Sequence, residues 1–308
     1  MAYLVGLDVG GTFVKGIILK NGKVVHECDT PTEVGEKLAD CLENLVERLV
    51  HGAGAVFSEV EGVGVGCPGV IDSDTGTVVL AANLWLKDYP LKERLEEKLC
   101  LPVRICNDAN AAALGEAKFG AGRDCKDSVL ITLGTGVGGG IVIDGKLFEG
   151  NKSAGAEIGH MVIERGGDRC TCGRYGCFEA YCSARALTKR TRDAMEDDTS
   201  SDMWKTYTYD TADGRTAFEY MDSDASARRV VDWYLKYLAC GVANIANIFR
   251  PEVVMIGGGV AAQGTRLTGP LKALVDRETF AVDYAPVEIR CASLGNKAGA
   301  LGAAALFL

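Results

Sequence analysis

Three cysteines and a histidine are the residues of this sequence whose types and spacing point most directly to chemistry. Cys170, Cys172 and Cys177 lie within eight residues, and His160 precedes the first of them by ten. Four thiolate or imidazole ligands complete tetrahedral Zn²⁺ coordination and leave no position for water. The glycines within the run let the backbone turn tightly enough for the cysteines to reach one ion. The pattern predicts a structural zinc site, with scattered core thiols as the alternative.

Two carboxylates flank this predicted metal site. Glu157 lies three residues before His160, and Glu179 lies two residues after Cys177. A closed zinc site would hold a loop in place, and these carboxylates could then accept hydrogen bonds from the hydroxyls of a polyol. Asn83 could add an amide. A pocket rich in acceptors and lined by carboxylates is typical of sugar binding, so a sugar is the expected ligand.

Asn107 and Asp108 stand where a predicted strand ends and a predicted helix begins. The simpler interpretation is a helix N-cap, because Asn and Asp are strongly preferred there. A carboxylate at this place could also accept a proton from a substrate hydroxyl as the hydroxyl attacks phosphorus. The residues alone leave both interpretations open.

Three glycine-rich turns follow predicted strands, at Gly10-Gly11-Thr12, Gly134-Thr135-Gly136 and Gly257-Gly258-Gly259. Backbone N–H groups in such turns can surround a phosphate. Glycines also make ordinary hairpins, so one turn is weak evidence, but three together favour a nucleotide. Neither a dinucleotide fingerprint nor a P-loop is present. Asp8, just before the first turn, could hold Mg²⁺ directly or through water.

The elements that must position these residues include an approximate repeat. Residues 4–25 and residues 129–148 each read as a strand, a glycine turn, a second strand, an Asn-Gly or Asp-Gly turn and a third strand. Strands alternating with helices predict an α/β fold, and the repeat predicts two similar lobes. Helices are expected at Glu33–His51, Leu91–Leu99, Ala109–Phe119, Ser226–Phe249 and Ala298–Leu308, further strands at Val63–Gly66, Val103–Cys106 and Val253–Ile256, and short helices with a loop at Thr188–Ser223.

Composition narrows the class of protein. The chain has 308 residues, of which 47% are hydrophobic and 24% charged, and a formal net charge of −9, which offers no basic surface for nucleic acid. No apolar run approaches the ~18 residues of a membrane span, and the sequence enters a strand at Leu4 without a targeting segment. Most other cysteines lie in apolar patterns, as expected for reduced thiols. We expect a soluble cytoplasmic protein without nucleic-acid or membrane partners.

The motifs together resemble one known family. Asp8–Thr12, Asn107–Ala111, Leu133–Gly140, Glu157–His160 and the cysteine run are similar, in this order, to the ROK family of repressors and sugar kinases, and above all to its bacterial ATP-dependent glucokinases. The resemblance implies an actin-like, ribonuclease H-like ATPase fold with a duplicated β-hairpin and βαβ core. It also implies two lobes around a cleft, 1–107 with 296–308 and 108–295, and a homodimer, with a tetramer as the alternative.

The resemblance further implies ATP-dependent phosphorylation of a hexose at its primary hydroxyl, with Mg²⁺ as the catalytic ion. Glucose, giving glucose 6-phosphate, is expected because the stretch Asn83-Leu84-Trp85, followed by Pro90-Leu91, looks more like the glucokinase members. Asp108 would be the catalytic base. The sugar would contact Asn83, Asn107, Asp108, Glu157, His160 and Glu179, while ATP and its metal would contact Asp8, Gly10, Gly11, Thr12, Gly134, Thr135, Gly136 and, on the adenosine side, Gly257, Gly258 and Gly259. His160 would ligate zinc, with Cys170, Cys172 and Cys177, through one ring nitrogen and contact the sugar through the other.

One position departs from the family pattern, and several alternatives stay open. Phe13 stands where the family usually has lysine, and Lys15 could lie on the same strand face. Kinases of N-acetylmannosamine, N-acetylglucosamine, fructose or allose share the acceptor positions. A sugar-responsive transcriptional repressor is the alternative from another class, although its DNA-binding domain is expected before the first strand. Acetate kinases and polyphosphate phosphatases share the superfold, but neither explains the Glu157, His160 and cysteine cluster.

Overall fold

A computed structural model describes residues 3–308 as strands and helices that alternate along much of the chain. In chain order the strands are β1 (Tyr3–Val9), β2 (Phe13–Lys20), β3 (Lys23–Pro31), β4 (Val60–Cys67), β5 (Val70–Asp72), β6 (Thr77–Ala81), β7 (Leu86–Tyr89), β8 (Val103–Asn107), β9 (Ser128–Leu133), β10 (Val137–Ile143), β11 (Lys146–Phe148), β12 (Val253–Gly257) and β13 (Glu288–Cys291). The α-helices are α1 (Leu38–Gly52), α2 (Leu91–Leu99), α3 (Asp108–Phe119), α4 (Phe178–Cys182), α5 (Ala184–Asp197), α6 (Gly214–Tyr220), α7 (Ala225–Phe249), α8 (Thr265–Glu278) and α9 (Ala298–Ala305).

Two five-stranded sheets have the same topology. The first has the order β3-β2-β1-β4-β8 and the second the order β11-β10-β9-β12-β13. In the first, β1, β2 and β3 form an antiparallel meander, and β4 and β8 add to it in parallel. In the second, β10 pairs with β11 antiparallel, whereas β12 pairs with β9 and β13 in parallel. The predicted duplication and the α/β class are therefore confirmed.

The repeated hairpin turns have the backbone that their sequences require. Asn21 and Gly22 have φ of 53° and 73°, and Asp144 and Gly145 have φ of 50° and 72°. Two consecutive left-handed residues are the signature of a type I′ turn, whose twist matches that of the flanking strands. These turns fix the register of β2 with β3 and of β10 with β11.

The chain groups into two compact units, one of Met1–Lys126, Gly140–Ala156 and Ser293–Leu308, the other of Asp127–Gly139 and Glu157–Ala292. This grouping differs from the predicted division at residues 107 and 108, because α3 packs on α9. A Cβ on Gly115 would lie 2.2 Å from the Ala298 carbonyl oxygen, and one on Gly302 would lie 1.6 Å from that of Ala111. The two helices approach so closely that only glycine fits, which keeps α3 in the first unit.

Other differences concern element boundaries. The predicted helix from Glu33 begins at Leu38 instead, because Gly35 has a φ of 65° and starts a 3₁₀ turn. The helix predicted to run from Ala298 to Leu308 ends at Ala305. The stretch expected to hold short helices and a loop from Thr188 lies partly inside α5, which begins at Ala184 with Ser183 as its N-cap.

In the second unit, the long helix α7 provides the surface on which the short helix α4 packs. A Cβ on Gly241 of α7 would lie 2.3 Å from the Phe178 ring, and the Tyr234 hydroxyl donates to the Cys182 carbonyl at 2.8 Å. Phe178 and Cys182, the two ends of α4, are fully buried. This packing fixes the helix that carries Glu179. Within residues 3–308, no helix combines the length and apolarity needed to cross a bilayer.

Candidate active site and metal centre

His160, Cys170, Cys172 and Cys177 come together in the second unit. One potential ligand atom from each lies within 4.8 Å of all the others. Cys170 Sγ is 3.7 Å from His160 Nδ1, and the Sγ atoms of Cys172 and Cys177 are 3.8 Å apart. A tetrahedral zinc ion with ~2.3 Å Zn–S bonds requires S···S separations of about 3.8 Å. The donor set and its spacing therefore fit a zinc ion.

The backbone of the cysteine loop turns where its glycines lie. Gly173 and Gly176 have φ of 88° and 77°, a region that L-residues with side chains rarely adopt. The Cys170 N–H donates to the Arg174 carbonyl at 2.8 Å. Isolated antiparallel β-bridges pair the backbone of Arg169 with that of Tyr175 and the backbone of Val162 with that of Cys177. A Cβ on Gly176 would lie 1.7 Å from the Glu164 carbonyl oxygen, so no side chain fits there.

Glu179 lies between the cysteine loop and the second glycine turn. Its Oε1 accepts the Thr171 hydroxyl at 2.5 Å and lies 3.6 Å from Cys170 Sγ, while its Oε2 accepts the Val137 N–H at 3.1 Å. Burial disfavours the charged carboxylate, but these hydrogen bonds outweigh it and hold the pKa of Glu179 below its ordinary value. Glu179 is thus a fixed, ionised acceptor.

Glu157 and His160 also lie next to Val137. They bound a 3₁₀ turn in which the His160 N–H donates to the Glu157 carbonyl at 3.0 Å. A Cβ on Gly159 would lie 1.9 Å from the Val137 carbonyl oxygen, so this turn is in direct contact with β10. The Glu157 side chain is exposed and His160 is half-buried. The predicted acceptors Glu157, His160 and Glu179 therefore occupy neighbouring elements of one unit.

In the first unit, Asn107 and Asp108 take different roles at the start of α3. Asn107 Oδ1 accepts the N–H groups of Ala109 at 2.9 Å and Asn110 at 3.3 Å, so the N-cap interpretation is confirmed for Asn107. Its Nδ2 donates to the Gly69 carbonyl at 3.1 Å. Asp108 accepts the Ala109 N–H at 2.9 Å, but burial raises its pKa more than its hydrogen bonds lower it.

Asp8 is electrostatically coupled to Asp108. Burial, and after it the Asp108 carboxylate, raise the pKa of Asp8 to about 6, although the positive charge of Lys15 opposes the rise. Lys15 stands directly opposite Asp8 in the register of β1 with β2. Phe13 is on the same face of β2 and is 46% exposed. Two carboxylates with raised pKa values suit a divalent cation, and Lys15 supplies a positive charge beside Asp8.

A hydrogen bond from its first backbone N–H closes each of the first two glycine turns. The Gly10 N–H donates to the Phe13 carbonyl at 3.0 Å, and the Gly134 N–H donates to the Gly136 carbonyl at 3.0 Å. The first amide of each turn therefore stabilises the turn itself. A Cβ on Gly11 would lie 3.9 Å from the Asn83 side-chain nitrogen, which places that amide beside the first turn.

The third turn, at Gly257–Gly259, contacts the strand that leads into the second. Gly258 has a φ of 81°, and a Cβ there would lie 2.4 Å from the Leu133 carbonyl oxygen. The first unit thus brings together Asp8, the Gly10–Thr12 turn, Asn83, Asn107 and Asp108. The second brings together the predicted sugar acceptors, the candidate metal ligands and the other two turns. The Val137 N–H was not predicted as a partner of Glu179, because no residue type marks a backbone amide. The Thr171 hydroxyl was not predicted as a partner either.

Comparison with known proteins gives matches over nearly the whole chain. A profile of the ROK family matches residues 4–308. A glucokinase of Halalkalibacterium halodurans is 38% identical over 307 residues, which cover 97% of this chain and 93% of that enzyme. A xylose repressor of Caldicellulosiruptor bescii is 33% identical over 318 residues, which cover 99% of this chain and 78% of the repressor. A ROK family glucokinase from Streptomyces griseus, solved in complex with glucose and AMPPNP, is 32% identical with a TM-score of 0.78, and the match covers 99% of both chains.

Proposed function

Because this chain belongs to the ROK family, we propose that it is an ATP-dependent glucokinase that phosphorylates the primary hydroxyl of glucose to give glucose 6-phosphate. The observation that carries the proposal is the pair of Asp108 and Asp8 beside a glycine turn. Both carboxyls have raised pKa values in the first unit. A base whose pKa moves toward neutrality accepts a proton more effectively during attack on phosphorus.

Asp108 orients the primary hydroxyl and accepts its proton. As the hydroxyl oxygen forms its bond to the γ-phosphorus of ATP, the bond from that phosphorus to the ADP oxygen breaks. ADP leaves with the electron pair, and the proton passes from Asp108 to solvent. N–H groups of the Gly10–Thr12 and Gly134–Gly136 turns stabilise charge on the phosphates. Asp8 would hold Mg²⁺, which neutralises phosphoryl charge when bound.

The remaining polar residues hold the sugar. Glu179 and Glu157 accept hydrogen bonds from its hydroxyls, and Asn83 and Asn107 present amides. His160 uses Nδ1 for the metal, which leaves Nε2 for a sugar hydroxyl. His160, Cys170, Cys172 and Cys177 would hold a zinc ion that keeps the cysteine loop in place. Thr171 of that loop donates to Glu179, so the metal would support sugar binding without taking part in the chemistry.

Assembly and location complete the proposal. By resemblance to the family we expect a cytoplasmic homodimer, with a tetramer as the alternative. Sedimentation of the native protein distinguishes these states.

A DNA-binding role is the second candidate, and the xylose repressor match is the observation that favours it. The match covers 78% of that repressor, so the remaining part of the repressor lies outside the similarity. A gel shift with DNA from upstream of the gene tests this role. A sugar-sensitive shift without kinase turnover would favour the repressor over the kinase.

A coupled assay of ADP release across hexoses and N-acetylhexosamines tests the proposed substrate. We expect the highest kcat/KM with glucose, and lower values with N-acetylmannosamine, N-acetylglucosamine, fructose and allose. The proposal is wrong if N-acetylmannosamine is turned over much faster than glucose. Replacing ATP with polyphosphate, with glucose 6-phosphate formation as the readout, identifies the phosphoryl donor.

A further inference from the structure

The segment Gly150–Ala156, which links β11 to Glu157, has an unusual backbone. Lys152, Ser153 and Ala156 have φ of 51°, 55° and 62°, and Gly150 has a φ of 69°. The left-handed region is disfavoured for residues with a Cβ, and such conformations persist only where neighbouring groups hold them. Three of them in five residues indicate a loop that its surroundings keep in place.

Ser73, from another part of the first unit, forms hydrogen bonds that keep this loop in place. The Ser73 N–H donates to the Ser153 hydroxyl oxygen at 3.1 Å, and the Ser73 hydroxyl donates to Glu149 Oε1 at 2.8 Å. The Gly155 N–H donates to the Glu149 carbonyl at 2.7 Å. We call Ser73, Glu149 and Ser153 the Ser73 latch. Its contacts hold Glu149, directly before the strained segment, and Ser153, in the middle of that segment.

The latch joins three segments that carry predicted site residues. Ser73 directly follows β5, which pairs with β6 as an antiparallel hairpin. Strand β6 leads into the 3₁₀ turn Ala82–Leu84, which contains Asn83. Glu149 Oε1 also lies 3.4 Å from the side-chain nitrogen of Asn110, a buried residue of α3 two positions after Asp108. The strained segment itself ends at Ala156, directly before Glu157. One carboxylate therefore connects the segments of Asn83, Asp108 and Glu157.

We propose that Ser73 is a positioning residue for sugar binding: through Glu149 and Ser153 it holds the 150–156 segment strained, and so sets the position of Glu157. This inference rests on the proposed function, because it takes Glu157 as a sugar contact. Binding and latch closure stabilise each other to the same extent, since coupling between two equilibria is reciprocal. Sugar therefore protects the segment, and loss of the latch weakens sugar binding.

Ser73→Ala tests the latch, because it removes the hydroxyl to Glu149 and keeps the backbone N–H to Ser153. Thr75→Ala is the matched control: it lies in the same hairpin and loses only an exposed hydrogen bond to Thr77. Ser73→Thr retains the hydroxyl and serves as the conservative variant. Ser153→Ala removes the other latch contact.

Two readouts apply to the full-length protein. The first is the rate of tryptic cleavage after Lys152, which is exposed, followed by mass spectrometry with and without glucose. The second compares KM for glucose with kcat and KM for ATP. Loss of one hydrogen bond predicts that Ser73→Ala and Ser153→Ala raise the cleavage rate and the glucose KM about three- to tenfold. We expect kcat and the ATP KM to change less than about twofold, and Ser73→Thr and Thr75→Ala to behave like the parent.

The inference is overturned if Ser73→Ala leaves cleavage at Lys152 unchanged, if its glucose and ATP KM values rise equally, or if Thr75→Ala has the same effect. Failure of the proposed function is distinguishable from these results. It would appear as no glucose turnover by the parent protein, whereas cleavage without sugar still reports whether the latch holds the segment.

Discussion

Glu179 accepts the Val137 N–H at 3.1 Å through one carboxylate oxygen and the Thr171 hydroxyl at 2.5 Å through the other. One side chain thus connects the glycine turn before β10 with the loop that carries Cys170 and Cys172. If zinc holds that loop, removing the zinc should affect sugar binding through the hydrogen bond between Thr171 and Glu179.

We first predict one zinc ion per chain and a selective effect of removing it. Without zinc, the cysteine loop loses its cross-link and Glu179 loses the fixed position of Thr171. Cys172→Ser should lower the midpoint of thermal unfolding and raise the glucose KM about tenfold or more, with a smaller effect on the ATP KM. Elemental analysis and steady-state kinetics measure both. Cys100→Ser, at an exposed cysteine outside the cluster, should match the parent. Full glucose affinity in a zinc-free protein would contradict this prediction.

The second prediction compares two glycines of one turn. A Cβ on Gly136 would lie 2.4 Å from Glu179 Oε2, whereas a Cβ on Gly134 would have nothing within 4 Å. Gly136→Ala must displace Glu179 and should weaken glucose binding about tenfold or more, while Gly134→Ala should bind glucose like the parent. Calorimetric titration with glucose in the absence of nucleotide measures this, because nucleotide could contact the new methyl group. Equal affinities of the two variants would show that Glu179 does not hold the sugar.

The third prediction concerns the pH dependence of stability through Asp8. Its folded pKa of about 6 exceeds the ordinary value of 3.8, so the folded state holds the proton more tightly. The free energy of unfolding therefore falls as pH rises from about 4 to 6, and the full cost, about 3 kcal/mol, applies above pH 6. Asp8→Asn should be more stable than the parent at pH 7.5 without nucleotide or divalent cations. The difference should vanish near pH 4. Urea unfolding at both pH values checks the sign, and a less stable variant at pH 7.5 would refute it.

Much of the fold follows from local sequence signals. The Asn21-Gly22 and Asp144-Gly145 dipeptides predict the repeated meander, because few other dipeptides adopt the left-handed conformation at both residues so readily. The helix Leu91–Leu99 has the predicted bounds. The cysteine loop could be predicted because three of the four candidate metal ligands lie within eight residues of the sequence.

Other features depend on contacts distant in sequence and could not be predicted. The strands β5, β6 and β7 have only three to five residues. Val70 and Leu80 are apolar but exposed, so these strands lack the alternation of apolar and polar residues that would predict them. Helix α8 contains Pro270, which sequence rules place at helix starts or outside helices. Ser73 and Glu149 are 76 residues apart, and neither residue type suggests the other. The grouping of α3 with α9 arises from glycine contacts that only the packed structure reveals.

The central claim is that Asp108 removes the proton from the primary hydroxyl of glucose during phosphoryl transfer. The most direct measurement is glucose 6-phosphate formation by the parent and by Asp108→Asn at saturating glucose and ATP·Mg²⁺, with glucose binding measured separately. We predict that kcat falls by about 10²–10⁴ or more in the variant while its affinity for glucose stays within a few-fold of the parent. Turnover by Asp108→Asn within about tenfold of the parent, with glucose 6-phosphate as the product, would contradict the assignment of Asp108 as the base.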